Sequence, residues 1–322
     1  MKIDNMNKSE QQYLDIIKEI LDNGIEKGPA RAGMPGTKEV FFRTMTFDLS
    51  DGTYPLFTTK KMAWKTCLTE LTWFLKGDTN IKYLLENNCN IWTDDAYKYY
   101  VRKCKGEPLT KEEWKEKVLA GEAEHQISRT VGIKKIFDYT TPYGECGDIY
   151  GAQWRRYGTY NFDQINFIIN NIKNNPNSRY HILNAWNGDD FLGDFADVAL
   201  PACHVYYQFC VNNDKLDLMF VQRSCDMLLG VPFDIASAGA LLMIIAHHTG
   251  YKPGKLHWVG NSCHLYDNHF EQAKELITRE PYQFPSLSIN WKDNVEDYLR
   301  SDFELHNYEC HPKIIAPLSV GI

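Results

Sequence analysis

Residues 201–237 read PACHVYYQFCVNNDKLDLMFVQRSCDMLLGVPFDIAS, and this stretch decides which fold is predicted. Two runs with strand-like composition, 204–211 and 216–222, flank the polar segment Asn212-Asn-Asp-Lys. A polar turn between two such runs predicts a β-hairpin. Small apolar residues follow from 235 to 249 and end near Gly250, which predicts a buried helix. Strands and helices mixed in this way favour an α/β domain.

The same stretch carries the side chains of a candidate nucleophilic site. Cys203 is followed by His204, and the predicted hairpin brings the strand of Arg223 beside the strand of Cys203. The thiolate is the reactive form of cysteine, and a nearby guanidinium favours it. A cysteine without such neighbours is most often a small apolar core residue. Asp234 is a lone carboxylate in an apolar run, where burial is costly unless the group is hydrogen-bonded.

The composition argues against several classes of protein. The 322 residues carry a net charge of −7 and 43% apolar residues, with no basic run, so we expect no extended nucleic-acid binding. No apolar run reaches membrane-spanning length, and the polar N-terminus lacks a signal core. The nine cysteines include no Cys-x-x-Cys pair, so neither a metal site nor a disulfide framework is expected. We predict a cytoplasmic protein (in the host cytoplasm if it is viral).

Apolar spacing along the rest of the chain predicts further elements. Three helices are predicted, at 9–23 with Ser9 as the cap, at 65–75 and at 161–173. Residues 39–49 are strand-like. Residues 99–147 are richer in Lys and Glu, and we interpret them as a partly helical insertion. Since no linker separates the apolar blocks, one catalytic domain is predicted over residues 1–322.

Several charged residues outside the hairpin are candidate site residues. Glu70 lies inside the apolar segment Leu68-Thr-Glu-Leu-Thr-Trp-Phe-Leu, where a carboxylate could act as a general acid or base. A structural ion pair is the alternative. Arg31, Arg179 and the pair Arg223-Ser224 together offer the positive charge and donors needed to bind one phosphate ester. Each of these arginines alone is more often a solvated charge.

Nine ordered segments resemble the thymidylate synthase superfamily, from about residue 12 to residue 317, with the insertion between them. The segments are ELTWFLKGDTNI from Glu70, NIW from Asn90, IYGAQWR from Ile149, NPNSR from Asn175, AWN from Ala185, Cys203-His204, QRSCD from Gln222, GVPFDIAS from Gly230 and HLYDNH from His264. Chance agreement over so many ordered segments is negligible.

The resemblance implies an α/β (α+β) domain around a large mixed sheet flanked by helices, which forms an obligate homodimer. It implies transfer of a one-carbon unit from 5,10-methylenetetrahydrofolate to C5 of a pyrimidine nucleoside monophosphate, without a metal. Cys203 would add to C6 of the base, and the other implied catalytic residues are Glu70, Tyr150, His204 and Asp234. The implied nucleotide-binding residues are Arg31, Arg179 (from the other subunit), Gln222, Arg223, Ser224, Asp234, His264 and Tyr266. The implied folate-binding residues are Ile91, Trp92, Asp226, Leu229, Gly230 and Phe233.

Asp234 departs from the superfamily, which usually has asparagine there. An asparagine amide offers an acceptor and a donor, which complement N3–H and O4 of uracil. Cytosine instead presents an acceptor at N3 and a donor amine at C4. A protonated aspartic acid would match neutral cytosine, and an ionised one would match cytosine protonated at N3. We therefore predict a cytosine nucleotide; the alternative is an Asn-to-Asp change tolerated in a dUMP enzyme.

An aspartate at this position resembles deoxycytidylate hydroxymethylases, the branch in which water rather than hydride completes the reaction. Trp92 is kept and does not separate the two branches. Asp95 replaces a second tryptophan, and the tail Leu318-Ser-Val-Gly-Ile differs from the usual ending; both changes are compatible with water entry. Tyr180 replaces a second phosphate-binding arginine, and Asn261-Ser-Cys replaces the usual Gly-Asp-Thr.

The sequence thus predicts a dCMP 5-hydroxymethyltransferase. The alternatives are a thymidylate synthase that methylates dUMP to dTMP, and a CMP or dCMP enzyme that forms the methyl or the hydroxymethyl product. An inactive nucleotide- or RNA-binding relative is the alternative outside the enzymes. The intact set of Cys203, Glu70 and Arg223 argues against it.

Overall fold

The structure of the protein, a computed structural model, describes residues 7–30, 33–122, 125–131, 135–188 and 198–317. Arg31 and the tail 318–322, both named above, lie outside the described residues. The chain divides into two compact units, one of residues 1–68, 166–183 and 203–322 and the other of residues 69–165 and 184–202. The single catalytic domain inferred from sequence stays a prediction.

Helices and strands are mixed along the chain. The strands are β1 (Ile25–Lys27), β2 (Thr37–Asp48), β3 (His125–Val131), β4 (Lys135–Thr141), β5 (Ile182–Asn184), β6 (His204–Asn212), β7 (Lys215–Asp226), β8 (Lys252–Tyr266), β9 (Ser286–Ile289) and β10 (Phe303–His306). The helices are α1 (Lys8–Asn23), α2 (Trp64–Leu75), α3 (Lys82–Glu86), α4 (Thr93–Lys103), α5 (Lys111–Ala120), α6 (Tyr150–Arg155), α7 (Gln164–Asn174), α8 (Gly230–Thr249) and α9 (Phe270–Leu276). Short 3₁₀ segments lie at Asp267–His269, Val295–Asp297 and Arg300–Asp302.

The main sheet has the strand order β1-β2-β8-β7-β6-β5. β2 pairs with β8, and β6 with β7, in antiparallel fashion, whereas β7 and β8 run parallel. A parallel pair requires a crossover connection, which α8 provides between β7 and β8. The predicted large mixed sheet flanked by helices is therefore confirmed.

The predicted hairpin is confirmed as β6 and β7. Asn213 in its turn has φ 57°, a left-handed conformation that asparagine tolerates. His204 pairs with Gln222 across the hairpin, and a register shift follows between His204 and Tyr206. The Arg223 N–H donates to the Cys203 carbonyl oxygen at 2.9 Å. The hairpin thus fixes the backbones of both residues side by side.

Helix α8 is a core helix and begins at Gly230, earlier than the predicted start at residue 235. It packs against β7 and β8 and ends at Gly250, whose φ of 80° suits a glycine cap. Among the described residues it is the one helix long and apolar enough to cross a membrane. However, 72% of its most apolar window is buried inside the protein, as in the core helix of a globular fold.

Helix α1 covers the predicted residues but has a different cap. The Asn7 side chain, rather than Ser9, accepts from the backbone N–H groups of Ser9 and Glu10, at 3.1 and 3.2 Å. Glu10 is fully buried, and its carboxylate accepts from the N–H and hydroxyl groups of Thr58 and Thr59. These bonds tie α1 to the segment before α2, although burial still raises the pKa of Glu10.

Much of the insertion forms ordered structure in the second unit. Helix α5 has a capping box between Thr110 and Glu113, and β3 and β4 form an antiparallel pair. Trp114 of α5 is fully buried, with ring centroids of Tyr97 and Tyr100 at 5.4 and 6.2 Å. The insertion therefore has apolar contacts of its own.

Candidate active site

The predicted nucleophile and its predicted cation lie together in the first unit. Nη2 of Arg223 is 4.0 Å from Sγ of Cys203, and both side chains are half-buried. Cys203 precedes β6 and Arg223 lies near the end of β7, so the hairpin sets this distance. A guanidinium next to a thiol favours the thiolate, which is the nucleophilic form.

Asp234 is hydrogen-bonded through both carboxylate oxygens. Its Oδ1 lies 2.8 Å from Nε2 of His204, and its Oδ2 accepts from Nε2 of Gln222 at 2.6 Å. The side chains of Asp234 and His204 are 15% and 11% exposed. A small ligand can therefore reach the carboxylate, while the protein holds its orientation.

Gln222 is oriented by Trp258. The indole Nε1–H of Trp258 donates to Oε1 of Gln222 at 3.0 Å, and an indole can only donate. The amide nitrogen of Gln222 must therefore face the other way, where it donates to Oδ2 of Asp234 and, at 3.1 Å, to the Ser224 carbonyl. Both amide hydrogens of Gln222 are used inside the protein.

Tyr207 continues the chain of contacts on the far side of His204. Its hydroxyl oxygen is 3.0 Å from Nδ1 of His204, and its ring stacks on Phe220 with centroids 5.5 Å apart. We call these five side chains the Asp234 network: Trp258, Gln222, Asp234, His204 and Tyr207. Sequence reasoning assigned no role to Trp258 or Tyr207.

Gly260 makes room for the Trp258 indole, and replacing it with alanine tests the network. A Cβ at residue 260 would overlap the indole ring and lie 2.8 Å from Sγ of Cys263. We expect Gly260→Ala to displace the indole and to destabilise the protein by about 1–3 kcal/mol, as overpacking does, with reduced turnover. Thermal unfolding measures this against Gly28→Ala, where an added Cβ meets nothing within 4 Å. Equal melting temperatures for the two variants would contradict the expectation.

The junction of β7 and α8 carries the first-unit residues implied for folate binding. Oδ1 of Asp226 accepts from the backbone N–H groups of Leu228 and Leu229, at 3.0 and 3.1 Å. Leu229, Gly230 and Phe233 follow at the start of α8 and are half-buried. The bend after β7 therefore places these three residues at the helix start.

Lys60 is a further charged residue at this junction that sequence reasoning missed. Its Nζ donates to the Leu228 carbonyl. Burial lowers the pKa of Lys60 to about 8, although Asp226 opposes the shift. The signal in the sequence was a polar Thr-Thr-Lys run directly after the apolar residues 54–57.

His264 and Tyr266, implied for the sugar, lie at the end of β8 with ring centroids 5.1 Å apart. Nδ1 of His264 donates to the Ser262 carbonyl at 3.0 Å, which leaves Nε2 to face a ligand. Ser262, one of the departures noted above, donates through its hydroxyl to Glu39 at 2.8 Å. Burial raises the pKa of Glu39, but hydrogen bonds from Lys27 and Ser262 outweigh it and hold that pKa below its ordinary value.

In the second unit, Glu70 is a half-buried, hydrogen-bonded carboxylate. The buried Trp92 donates from Nε1 to Oε1 of Glu70 at 2.6 Å. The ring of Tyr150 lies 6.2 Å from that of Trp92, edge to face. Burial raises the pKa of the Cys89 thiol to about 12, and the negative charge of Glu70 contributes to the increase. Cys89 therefore stays a thiol. Three implied residues (Glu70, Trp92 and Tyr150) are therefore close neighbours.

The remaining predicted residues are more exposed. Ile91 is 40% exposed. Arg179 is exposed, and its carbonyl accepts from Gln208 of β6 at 3.4 Å. Tyr180, which replaces the second arginine, is 75% exposed. Arg31 lies outside the described residues, so the structure places only part of the implied phosphate site.

Among the residues that the structure describes, no group of three or more His, Cys, Asp or Glu side chains could hold a metal ion.

Comparison with known proteins identifies the family. A family profile described as thymidylate synthase matches residues 11–320. A thymidylate synthase of Rhizobium rhizogenes is 39% identical over 97% of this chain and 98% of its own length. A thymidylate synthase of Listeria monocytogenes is 41% identical over 96% of this chain and 100% of its own length.

The protein is therefore an enzyme, a one-carbon transferase that acts on a pyrimidine nucleotide. It belongs to the thymidylate synthase family, whose cosubstrate is methylenetetrahydrofolate. The names of its relatives favour the alternative of thymidylate synthesis over the predicted hydroxymethylation of dCMP. The comparisons do not show membership of the hydroxymethylase branch. The argument for that branch depends on the chemistry of residue 234.

Proposed function

We propose that the protein transfers a one-carbon unit from methylenetetrahydrofolate to C5 of dCMP, and that water completes the reaction to give 5-hydroxymethyl-dCMP. The observation that carries the choice of base is the hydrogen bonding of Asp234. One of its oxygens accepts from an amide whose orientation is fixed, and the other faces a histidine nitrogen. An ionised carboxylate held in this way offers the base acceptors only.

A carboxylate that offers only acceptors matches cytosine better than uracil. Cytosine protonated at N3 presents two adjacent donors, N3–H and the C4 amine. Uracil presents one donor, N3–H, beside the acceptor O4, which would face a carboxylate oxygen without a proton between them. An unpaired buried polar group costs about 1–3 kcal/mol, and sites built on such pairing discriminate strongly.

The proposed chemistry assigns a role to each first-unit residue near Cys203. The Cys203 thiolate, next to the Arg223 guanidinium, adds to C6 of the base and makes C5 nucleophilic. Asp234 holds the N3 proton and the C4 amine while electron density moves onto the ring. Arg223 and Ser224, with Arg31 and Arg179, bind the 5′-phosphate, and His264 with Tyr266 binds the sugar hydroxyl.

Methylenetetrahydrofolate supplies C5 with a carbon at the oxidation level of formaldehyde. Leu229, Gly230 and Phe233, half-buried at the start of α8, are the first unit's part of the proposed folate site. In the hydroxymethylating outcome, water adds to the methylene group on C5 and no hydride is transferred, so tetrahydrofolate is released. We propose Glu70, held by Trp92, as the carboxylate that orients this water.

We also propose that the protein acts as a homodimer in the cytoplasm. Helix α8 packs on β7, and its Asp234 is hydrogen-bonded to Gln222. Because strand side chains alternate between faces, Leu218 and Phe220 lie on the same face as Gln222. On the opposite face, Val221 of β7 and Val259 of β8 are paired and half-exposed. A second copy covering this face would remove apolar surface from water and could bring in the partner's Arg179. Sedimentation should give about twice the 37.4 kDa of one chain.

Product analysis tests the proposed function. The protein is incubated with methylenetetrahydrofolate and either dCMP or dUMP, the product is identified by mass, and dihydrofolate absorbance is followed. We expect turnover of dCMP to the hydroxymethyl product without dihydrofolate, since water replaces hydride. Turnover of dUMP alone, with dihydrofolate formed, would establish the alternative. Methylated dCMP would retain the role of Asp234 and exclude the water step.

Thymidylate synthesis from dUMP is the second candidate. Identities of 39% and 41% with thymidylate synthases, over nearly the whole chain, favour it. Asp234 opposes it, because the carboxylate would have to carry a proton to donate to O4 of uracil. The same assay separates the two candidates.

A further inference from the structure

The Asp234 network is an unbroken series of hydrogen-bonded side chains from Trp258 to Tyr207. Its links measure 3.0 Å from indole to Gln222, 2.6 Å to Asp234, 2.8 Å to His204 and 3.0 Å to Tyr207. Trp258 is fully buried, Gln222 is 2% exposed and Tyr207 is 3% exposed. Water can therefore do little to alter the direction of these bonds.

The direction of the series is set at its Trp258 end. Since the indole can only donate, Gln222 accepts at Oε1 and donates at Nε2, so Oδ2 of Asp234 must accept. Oδ1 faces Nε2 of His204 at 2.8 Å, a separation at which one proton lies between the two atoms. A carboxylate oxygen can only accept, whereas an imidazole N–H can donate, so a His204 that donates from Nε2 satisfies this contact.

The bulge in β6 brings Tyr207 into the series. In a regular strand, residues three apart point to opposite faces of the sheet. The register shift between His204 and Tyr206 inserts one extra residue, so His204 and Tyr207 share a face. A hydroxyl can donate to a bare imidazole nitrogen or accept from a protonated one, and Tyr207 can therefore serve either tautomer of His204.

We propose that the residue at position 234 sets the tautomer of His204, and that Tyr207 is the positioning residue whose hydroxyl accommodates it. With Asp234, the proton lies on Nε2 of His204 and points at the carboxylate, while Nδ1 accepts from Tyr207. With asparagine, Gln222 holds the amide oxygen, so the amide nitrogen faces His204 as a donor. Nε2 must then accept, and the proton moves to Nδ1, which donates to Tyr207.

The tautomer itself does not depend on the substrate, but its consequence rests on the proposed function. With a proton on Nε2 of His204, both oxygens of Asp234 accept hydrogen bonds from the protein, and a carboxylate that acts only as an acceptor matches cytosine protonated at N3. Base selection would then belong to the whole network, since a free carboxylate could take up a proton on either oxygen.

Nitrogen-15 NMR of the ligand-free protein, labelled at the histidine ring nitrogens, tests the tautomer. Spectra of the wild type and Asp234→Asn are compared above pH 8, roughly two units beyond the ordinary histidine pKa, and His204→Gln assigns the signal among the ten histidines. We expect a protonated Nε2 in the wild type and a protonated Nδ1 with a bare Nε2 in Asp234→Asn.

His264 is the internal control for these spectra. Its Nδ1 donates to a carbonyl in the protein, so that nitrogen should stay protonated in both proteins. The same His204 tautomer in wild type and Asp234→Asn would overturn the inference. If Asp234→Asn changes the tautomer of His204 but the wild type turns over neither dCMP nor dUMP, the inference about the tautomer stands and the proposed function is wrong.

Tyr207→Phe tests the positioning role through kinetics. The ring and its stacking on Phe220 are kept, and only the hydroxyl is lost. We expect kcat for dCMP to fall roughly tenfold, as the loss of one buried hydrogen bond predicts. KM should stay within about twofold because Tyr207 is only 3% exposed. Tyr206→Phe, next along the strand, should keep the wild-type kcat. An unchanged kcat in Tyr207→Phe would overturn its assignment.

Discussion

Asp234→Asn is expected to move the preferred base from cytosine to uracil. The amide oxygen is held by Gln222, whose orientation is fixed by Trp258, so the amide nitrogen must lie on the His204 side. The base then meets an acceptor next to a donor, which complements N3–H and O4 of uracil. Since each mismatched pair costs about 1–3 kcal/mol and two pairs change, the ratio of kcat/KM for dCMP over dUMP should fall at least about 30-fold.

Steady-state kinetics with both nucleotides measure this shift. The matched control is Asp217→Asn, near the start of β7 and before Gln222 on the same strand. Its carboxylate accepts from the Lys255 N–H at 2.7 Å. That variant should keep the wild-type ratio, since an amide oxygen can accept the same bond. A ratio in Asp234→Asn that equals the wild-type ratio would mean that residue 234 does not read the base.

The parts of the site that the sequence predicts are those fixed by local structure. The turn at Asn212–Lys215 joins adjacent strands, so the pairing of Cys203 with Arg223 follows from one hairpin. Helix α1 follows from its apolar spacing, although Asn7 displaced Ser9 as the cap because its side chain reaches two backbone N–H groups. The helix predicted from Asn161 begins at Gln164 because Tyr157 and Phe162 first form a β-bridge.

The parts that the sequence does not predict depend on long-range pairing. Trp258 meets Gln222 only because β7 and β8 run parallel, with α8 between them in the chain. Tyr207 shares a face with His204 only because of a bulge, which alternation of apolar residues does not reveal. Lys60 reaches the Leu228 carbonyl across 168 positions of sequence. Composition and spacing carry no information about such contacts.

Residue 234 itself shows the limit of a resemblance. The match over nearly the whole chain establishes the family and its one-carbon chemistry. The match says less about which base is bound, since replacing the NH2 group of asparagine with the oxygen of aspartate changes the donors and acceptors that the side chain offers. The two proposals that concern the base therefore rest on Asp234 and its neighbours, and the comparisons favour the other base.

Cys203→Ser is expected to abolish turnover of any pyrimidine nucleotide while leaving the fold intact. Serine keeps the side-chain size, but its hydroxyl is hardly ionised at neutral pH, and the Arg223 guanidinium cannot compensate for that. Loss of a nucleophile typically costs several orders of magnitude, so kcat should fall at least about 10³-fold. Cys210→Ser is the matched control, because Cys210 lies on β6, the strand that follows Cys203, and is exposed.

Exchange of the C5 hydrogen isolates the step assigned to Cys203 from the folate chemistry. Addition of the thiolate to C6 makes C5 basic, so tritium at C5 of labelled dCMP should be released to water even without methylenetetrahydrofolate. We expect release by the wild type and by Cys210→Ser, and none by Cys203→Ser, although all three should bind dCMP by calorimetry. Release by Cys203→Ser at the wild-type rate would remove Cys203 as the nucleophile, because both candidate reactions begin with addition of this thiolate to C6.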